Sequence, residues 1–558
     1  GTRTDDLTAF NSNGFSLSNY SEVNTNYSSG GVGYDYASWT FRKAEKFFDV
    51  VTYTGDGTNN RQIAHNLGSV PGCIMIKMTS GQKDWKVYHR GLDSSNPENY
   101  KIHLNESAAR SDGSTLFDAP TDTHFILDSN DDVNGNGDTH VAYLFAHNNG
   151  DGDFGPDGDA DIIKCGSYTN SGSAWSVDLG FEPQWLLRKL TDGIGSWQLT
   201  DNMRGLLADN GSGTAYARLL KAESSNPENN AAGINITSTG IEGTGAGDNG
   251  TYIYIAIRRG TKVPESATEV FTIDAVNSSE PYFTSGFPID MAFYKSTSGS
   301  SGYVSSRLTG LTEGELDTTA AFGSATAVGY DKMTGFLDAG GNPGANYYAW
   351  MWKRAPNYFD VVAYTGNSTA GRTVSHNLGV APEMMWVKVR NSTDSWYVYH
   401  SALGANAGRR LNSDSSSNTA RWNGTAPTSS VFSLAGSNSV NGSNLNYIAY
   451  LFATLAGISK VGSYTGNDSS QTIDCGFTSG ARFVLIKSAT QTQPWFLFDS
   501  ARGIVAGNDP YLQLQSTVAQ NELGAIDVID PHSSGFIVNT QMGGINDNNE
   551  TYIFYAIA

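Results

Sequence analysis

The sequence predicts an all-β fold: a tandem array of antiparallel, jelly-roll-like β-sandwich units in an elongated chain. Three observations carry that expectation. One short stretch, rich in aromatic and β-branched residues, recurs six times through the 558 residues. Turn-formers abound, with 63 glycines and only 16% charged residues. A whole block returns at a constant offset: Phe47 to Tyr358, His65 to His376 and Trp85 to Trp396 all give 311. The alternative architecture is a β-propeller, each unit forming two four-stranded blades.

The recurring stretch reads Tyr36–Phe41, His140–Phe145, Tyr252–Ile257, Tyr347–Trp352, Tyr447–Phe452 and Tyr552–Ile557. Each copy is apolar at successive positions, so each is expected to be a strand covered on both faces. Taken in order, residues 1–46 look like half a unit, matching the later stretch from Met333 to Arg354. A half sandwich cannot bury its own face, so either residues upstream of Gly1 are missing, the favoured reading, or another chain or another unit completes the fold. The first whole unit spans 47–149. It opens with Phe47–Gly55 and runs through some seven strands, with an Asn134-Gly135-Asn136-Gly137 hairpin signal before the last. An acidic linker follows at 150–161. A second unit type spans 162–260, and a divergent third type 269–355. The first type returns at 356–456 and the second at 457–558. Linkers are short apart from 148–161 and 258–266, which predicts a stiff string of units.

Composition narrows the chemistry. The formal net charge of −20 argues against a nucleic-acid partner and against charge-driven binding to an anionic membrane. No apolar run reaches the roughly 20 residues of a spanning helix, so membrane insertion is not expected. Cys73, Cys165 and Cys475 lie in three separate units without metal-ligand spacing. They read as buried free thiols, which suits assembly in a reducing cytosol.

The sharpest local feature is Asp151-Gly152-Asp153-Phe154-Gly155-Pro156-Asp157-Gly158-Asp159-Ala160-Asp161. Ca²⁺ takes six to eight hard oxygens, and a Gly-rich loop lets several carboxylates converge. Asp151, Asp153, Asp157, Asp159 and Asp161 are therefore the candidate calcium ligands. The bland reading is a solvated acidic linker, since the equivalent joint at Thr454–Gly457 lacks every one of them. Trp85, Trp197, Trp396 and Trp495 invite a glycan-stacking reading, but each sits in an apolar strand and reads better as core. His89 and His400 stand where the second unit type has Asp201 and Asp499, the pattern of a polar residue at a strand end. His65 and His376 precede turns and have no ligand partner in sequence. No nucleophile elbow and no repeated pair of apolar-context carboxylates appears, so no catalytic residue is assigned.

The phrases Phe47–Gly55, His65–Gly72, Trp85–Arg90, Val141–His147 and Tyr36–Lys43 resemble repeats in large virion proteins of marine tailed phages. The likeness covers nearly the whole chain, least well at 269–330. It implies a structural, non-enzymatic protein: a tail fibre or receptor-binding adhesin that presents loops to a host surface glycan or protein, with avidity as its mechanism. Other virion proteins would be its partners, self-assembly as a homo-oligomer such as a trimer would be expected, and the virion, assembled in the host cytoplasm, would be its location. Alternatives are a head-fibre or capsid decoration protein, a polysaccharide-degrading tailspike and a cell-surface adhesin.

Overall fold

The structure, a computed structural model, describes residues 6–12, 14–18, 23–24, 36–209, 216–325, 328–338, 343–416, 421–507, 509–521, 527–539 and 543–558. Five units share one wiring. In the first, the recurring stretch is the strand Thr139–Phe145. It lies between Phe48–Thr54 and Cys73–Met78, antiparallel to both: His140 faces Tyr53 on one side and Met78 on the other. Lys86–His89, Tyr100–His103 and Ser111–Asp112 extend this large sheet. Arg61–Ala64, His124–Leu127 and Phe117–Asp118 make a small second sheet. Phe125 of the small sheet and Ala142 and Leu144 of the large one belong to one buried cluster. That is a sandwich of two antiparallel sheets, and no closed barrel or four-stranded blade forms among the described residues.

The other units repeat it. Their central strands are Gly250–Arg258, Tyr347–Trp352, Asn446–Phe452 and Thr551–Ile557. Each is flanked by an opening strand and a middle strand in the same order as in the first unit.

The reason these strands are apolar at every position lies in their period of two. In the fourth unit, Tyr447, Ala449 and Leu451 join the core of that unit's own sandwich. Ile448, Tyr450 and Phe452 point the other way and join a core shared between units. The third unit divides likewise: Ala349 and Met351 serve its sandwich, and Trp350 and Trp352 the shared core. In these two units the central strand is thus a wall between two cores.

Three expectations need correction. Tyr36–Phe41 is not a strand. Its counterpart Tyr347–Trp352 pairs with Phe271–Ala275 and Met291–Ser296, and neither has a counterpart among the described residues before Phe48. A central strand without neighbours has no ladder to join. Next, Asn134 does not sit in a hairpin turn. It ends a single helical turn, Asp131–Asn134, capped by the Asn130 side chain. Finally, the units are not strung end to end. Lys295 of the third unit donates to Ser516 O of the fifth at 2.7 Å, and Arg259 at the end of the second pairs with Asp360 of the fourth at 2.8 Å. One buried cluster runs through the second, third, fourth and fifth units. The large sheets bury their outer faces on one another because those faces are apolar, which the string arrangement would leave wet.

Candidate functional site

The acidic loop spends its carboxylates locally. Asp161 accepts from the Gly150 amide at 2.9 Å and the Gly152 amide at 3.1 Å, and Lys164 stands 3.5 Å away. Burial resists its ionisation, but those amides and Lys164 outweigh it and hold the carboxyl below its ordinary value. Asp153 pairs with Lys46 at 2.8 Å, and Asp151 accepts from the Asn149 amide at 2.7 Å. Asp157 and Asp159 are exposed and line a cleft of about 370 Å³ with Arg258, Arg259, Asn377 and Ser430. The five candidate calcium ligands therefore divide between two places and do not gather around one point.

Among the described residues, one group does gather at metal-ligand separation: Asp84, His103 and Glu106. Its chemistry opposes a cation. The Lys86 ammonium lies 3.1 Å from His103 Nε2, and Glu106 takes the other ring nitrogen at 2.8 Å. Lys86 also pairs with Asp132 at 3.0 Å. The cluster is already neutralised from within.

The recurring histidines and tryptophans meet at unit boundaries. His89 Nδ1 accepts from the Gly91 amide at 3.0 Å, leaving Nε2 to donate to Tyr254 O in the next unit's central strand at 3.0 Å. Burial drives its pKa down to about 3. His400 repeats this toward Phe554 O at 3.5 Å, with its pKa pushed by burial to about 4. Both rings are neutral struts, not general bases. His65 and His376 each brace a turn within their own units, donating to Thr121 O and Thr428 O at 3.3 and 3.1 Å.

Asp201 and Asp499 do the same work by accepting. Trp39 Nε1 donates to Asp201 at 3.0 Å, and Trp350 Nε1 to Asp499 at 3.2 Å. Trp197, Trp396 and Trp495 are buried, as expected for core. Each sends its indole N–H to a backbone carbonyl of another unit: His103 O at 2.7 Å, Glu315 O at 2.8 Å and Arg410 O at 2.8 Å. Trp85 departs from this pattern, being only half-buried.

Sequence reasoning missed the lysines beside them. Lys189, Lys295, Lys388 and Lys487 occupy the same position near the end of each middle strand, and all are buried. Each ammonium reaches a carbonyl in another unit: Ala108 O at 2.9 Å, Ser516 O at 2.7 Å, Thr319 O at 3.1 Å and Asp414 O at 2.6 Å. Burial brings each pKa down to about 8. Charge-assisted bonds to several carbonyls offset the cost of burying the ion. The signal was present as a lone lysine inside each apolar run, and it was passed over because a strand-end lysine ordinarily reaches water. Asn441 and Asn546 were missed too, and Asn134 was read only as part of a hairpin signal. Each is buried and ties down its unit's first loop, accepting from the Asp56, Asn367 and Asn467 amides at 3.1, 3.0 and 3.1 Å.

Followed around, the lysine contacts close a circle. The fourth unit seats on the third, the fifth on the fourth, and the third on the fifth. The second seats on the first in the same way. The class is therefore a repeat protein of β-sandwich units, three of which are joined in a ring. The chain belongs to the family described as a domain of unknown function (DUF7483), whose model matches residues 1–259 and 311–558. No curated protein matches the chain. Each matched stretch holds part of a third-type unit followed by a first-type and a second-type unit.

Proposed function

We propose that the protein is a structural virion component of a tailed phage, a tail fibre or receptor-binding adhesin that presents its loops to a host surface glycan or protein. The observation that carries this reading is where the recurring polar residues go. Four lysines, three tryptophans, two histidines and two aspartates at repeated positions are consumed in fastening one unit to another. What repeats is a rigid scaffold, and what varies is the loops it holds out. Glu182, the buried carboxylate of the 370 Å³ cleft, is gripped by Arg354 at 2.7 Å and is not free for proton transfer. Attachment through many weak loop contacts suits such a body.

The test is location and competition. Gold-labelled antibody against the protein is expected at the tail tip, and the purified protein is expected to slow phage adsorption to host cells. Label spread over the capsid, with adsorption unchanged, would favour a decoration protein and overturn the attachment reading. Release of reducing sugar ends from host polysaccharide would overturn the non-enzymatic one.

A further inference from the structure

Four of the units carry a tyrosine at the same point of the opening strand: Tyr53, Tyr168, Tyr364 and Tyr464. Each ring stacks on a residue of its central strand, His140, Tyr252, Tyr447 and Tyr552, at 5.1 to 5.3 Å. A second neighbour comes from the first residue of the small sheet's edge strand, and that residue varies. Arg61 and Arg372 lie over Tyr53 and Tyr364 at 5.7 and 5.6 Å. Trp175 stacks on Tyr168 at 4.2 Å. The fifth unit has Gln471 there, which brings neither a ring nor a guanidinium. Among the described residues, only Tyr552 and Phe554 bring a ring to Tyr464.

A groove of about 430 Å³ opens at this point. Its walls are the edge strands of the fifth unit's two sheets, Ser459–Thr465 and Gln471–Asp474, and Tyr464, Gln471 and Phe554 line it. Phe554 reaches the groove because residue 462 is glycine: a Cβ there would come within 2.6 Å of the Phe554 ring. The first-type units have Val51 and Val362 at that place, facing Ala142 and Ala449. Lys460 and Asp474 add one charge of each sign to the lining. The Gln471 amide nitrogen is spent on Thr465 O at 3.1 Å and Asn546 Oδ1 at 2.7 Å, so its carbonyl oxygen is the end that can accept from a ligand.

We propose that this groove is a seat for one neutral pyranose ring of a host surface glycan, lying on Tyr464 as the Trp175 ring lies on Tyr168. The inference rests on the attachment reading above and names its glycan contact. The face of an aromatic ring is electron-rich, so it attracts the weakly positive C–H face of a sugar. The volume falls within the roughly 300–1,000 Å³ of small-ligand sites. Gln471, Lys460 and Asp474 supply an acceptor, a cation and an anion for the ring hydroxyls. Their opposite charges favour a neutral sugar over an acidic one. An extended peptide is the weaker occupant. The opening strand lies at a sheet edge in every one of the five units, whereas the tyrosine without an arginine or tryptophan over it is particular to the fifth among these four.

The test is saturation-transfer NMR on the full chain with the methyl glycosides of glucose, galactose, mannose and N-acetylglucosamine. At least one is expected to receive saturation, most strongly at the C–H groups of one ring face. Gln471→Trp installs the second unit's residue and is expected to weaken that glycoside at least tenfold while the urea midpoint holds. Binding of none of the four, or equal binding by Gln471→Trp, would overturn the proposal. If that variant does not fold, Lys460→Ala with Asp474→Ala is the second: a tenfold loss supports the seat, and unchanged affinity overturns it. Protection of the 459–465 amides by a purified host surface protein, with no glycoside bound, would mean that a peptide adds a strand here, and would overturn it too. The two readings fail apart. A chain that slows adsorption but binds no glycoside loses the groove and keeps the attachment reading. One that binds a glycoside at Gln471 but leaves adsorption unchanged keeps the groove and loses attachment.

Discussion

Trp350 Nε1 donates to Asp499 Oδ2 at 3.2 Å, joining the central strand of the third unit to a strand end of the fifth. The same oxygen receives Arg502 Nε at 2.7 Å, and the Arg502 guanidinium lies 5.5 Å from the centre of the Trp350 ring. One carboxylate thus holds an indole and a guanidinium together in the dry seam between units. Trp39, Asp201 and Arg204 repeat the arrangement, at 3.0 and 2.7 Å.

Asp499→Ala is expected to be among the most damaging single changes. It strands a buried arginine, a loss of about 3–5 kcal/mol. Trp350→Phe keeps the ring's bulk and removes one charge-assisted bond, a loss of about 1.5–3 kcal/mol. Asp201→Ala is expected to cost less than Asp499→Ala, because water reaches Arg204 and Trp39. Urea unfolding midpoints of the three variants check the order.

The buried lysines give a pH signature. Lys388 has its pKa lowered by burial to about 8, while Asp394 pulls weakly the other way. In the unfolded chain it returns to the ordinary value near 10.5, so between about 8 and 10.5 the unfolded state holds the extra proton. Stability from this group therefore rises with pH across that window and is flat below it. Lys388→Met removes this contribution. The wild-type chain is expected to gain on this variant between pH 8 and 10, measured as the difference of their urea midpoints. Comparing the two cancels the opposing contribution of buried tyrosines, whose raised pKa values act on both.

Much of this fold could be read from residues alone, and the reason is physical. A strand such as Tyr447–Phe452, apolar at every position, announces burial on both faces, and its recurrence announces the repeat. What the pattern could not say is that the second face belongs to another unit, since Ile448 and Ala449 look alike in sequence and serve different cores. For the same reason the sequence around Lys388 and Asp499 does not show that either side chain bonds to another unit. Their partners lie 69 and 149 residues away. The stretch 36–41 was misread in the opposite direction: its residues suit a strand, but a strand also needs neighbours. The acidic loop was legible as a cluster of charge. Which oxygens face amides, a lysine or the cleft is set by a turn closed by Gly158 N to Gly155 O at 3.3 Å, and composition does not encode that.

That loop yields its own expectation. Asp161 closes the linker by accepting two glycine amides, so Asp161→Ala is expected to cost about 1–2 kcal/mol and to open residues 149–162 to protease. Because its pKa is lowered in the fold, its contribution is present above the ordinary value of 3.8 and is lost as pH falls through the folded one. Chelator is expected to leave the thermal midpoint where it was. A fall in that midpoint, restored by Ca²⁺, would show that the five aspartates regroup around a cation.

The last prediction concerns Arg354, which fastens the third unit to the second. Its two terminal nitrogens meet the two oxygens of Glu182 at 2.7 and 2.8 Å, and its Nε lies 3.4 Å from Asp290. Asp360 of the fourth unit is 3.9 Å away. Burial alone would discourage the charge on Arg354, but Glu182 and Asp290 reverse that and raise its pKa. Three carboxylates depend on one guanidinium, so the pair is not symmetric. Glu182→Gln leaves Arg354 with Asp290 and Asp360 and is expected to cost about 2–3 kcal/mol. Arg354→Met leaves three buried acids facing one another, with Arg307 and Arg259 as their remaining partners at 3.3 and 2.8 Å, and is expected to cost about 3–5 kcal/mol. Combining Glu182→Gln with Arg354→Met should recover part of the larger loss, because one of the stranded charges is gone. Urea midpoints for the two single variants and the double variant decide it. A Glu182→Gln loss equal to or above that of Arg354→Met would mean that the arginine serves Glu182 alone.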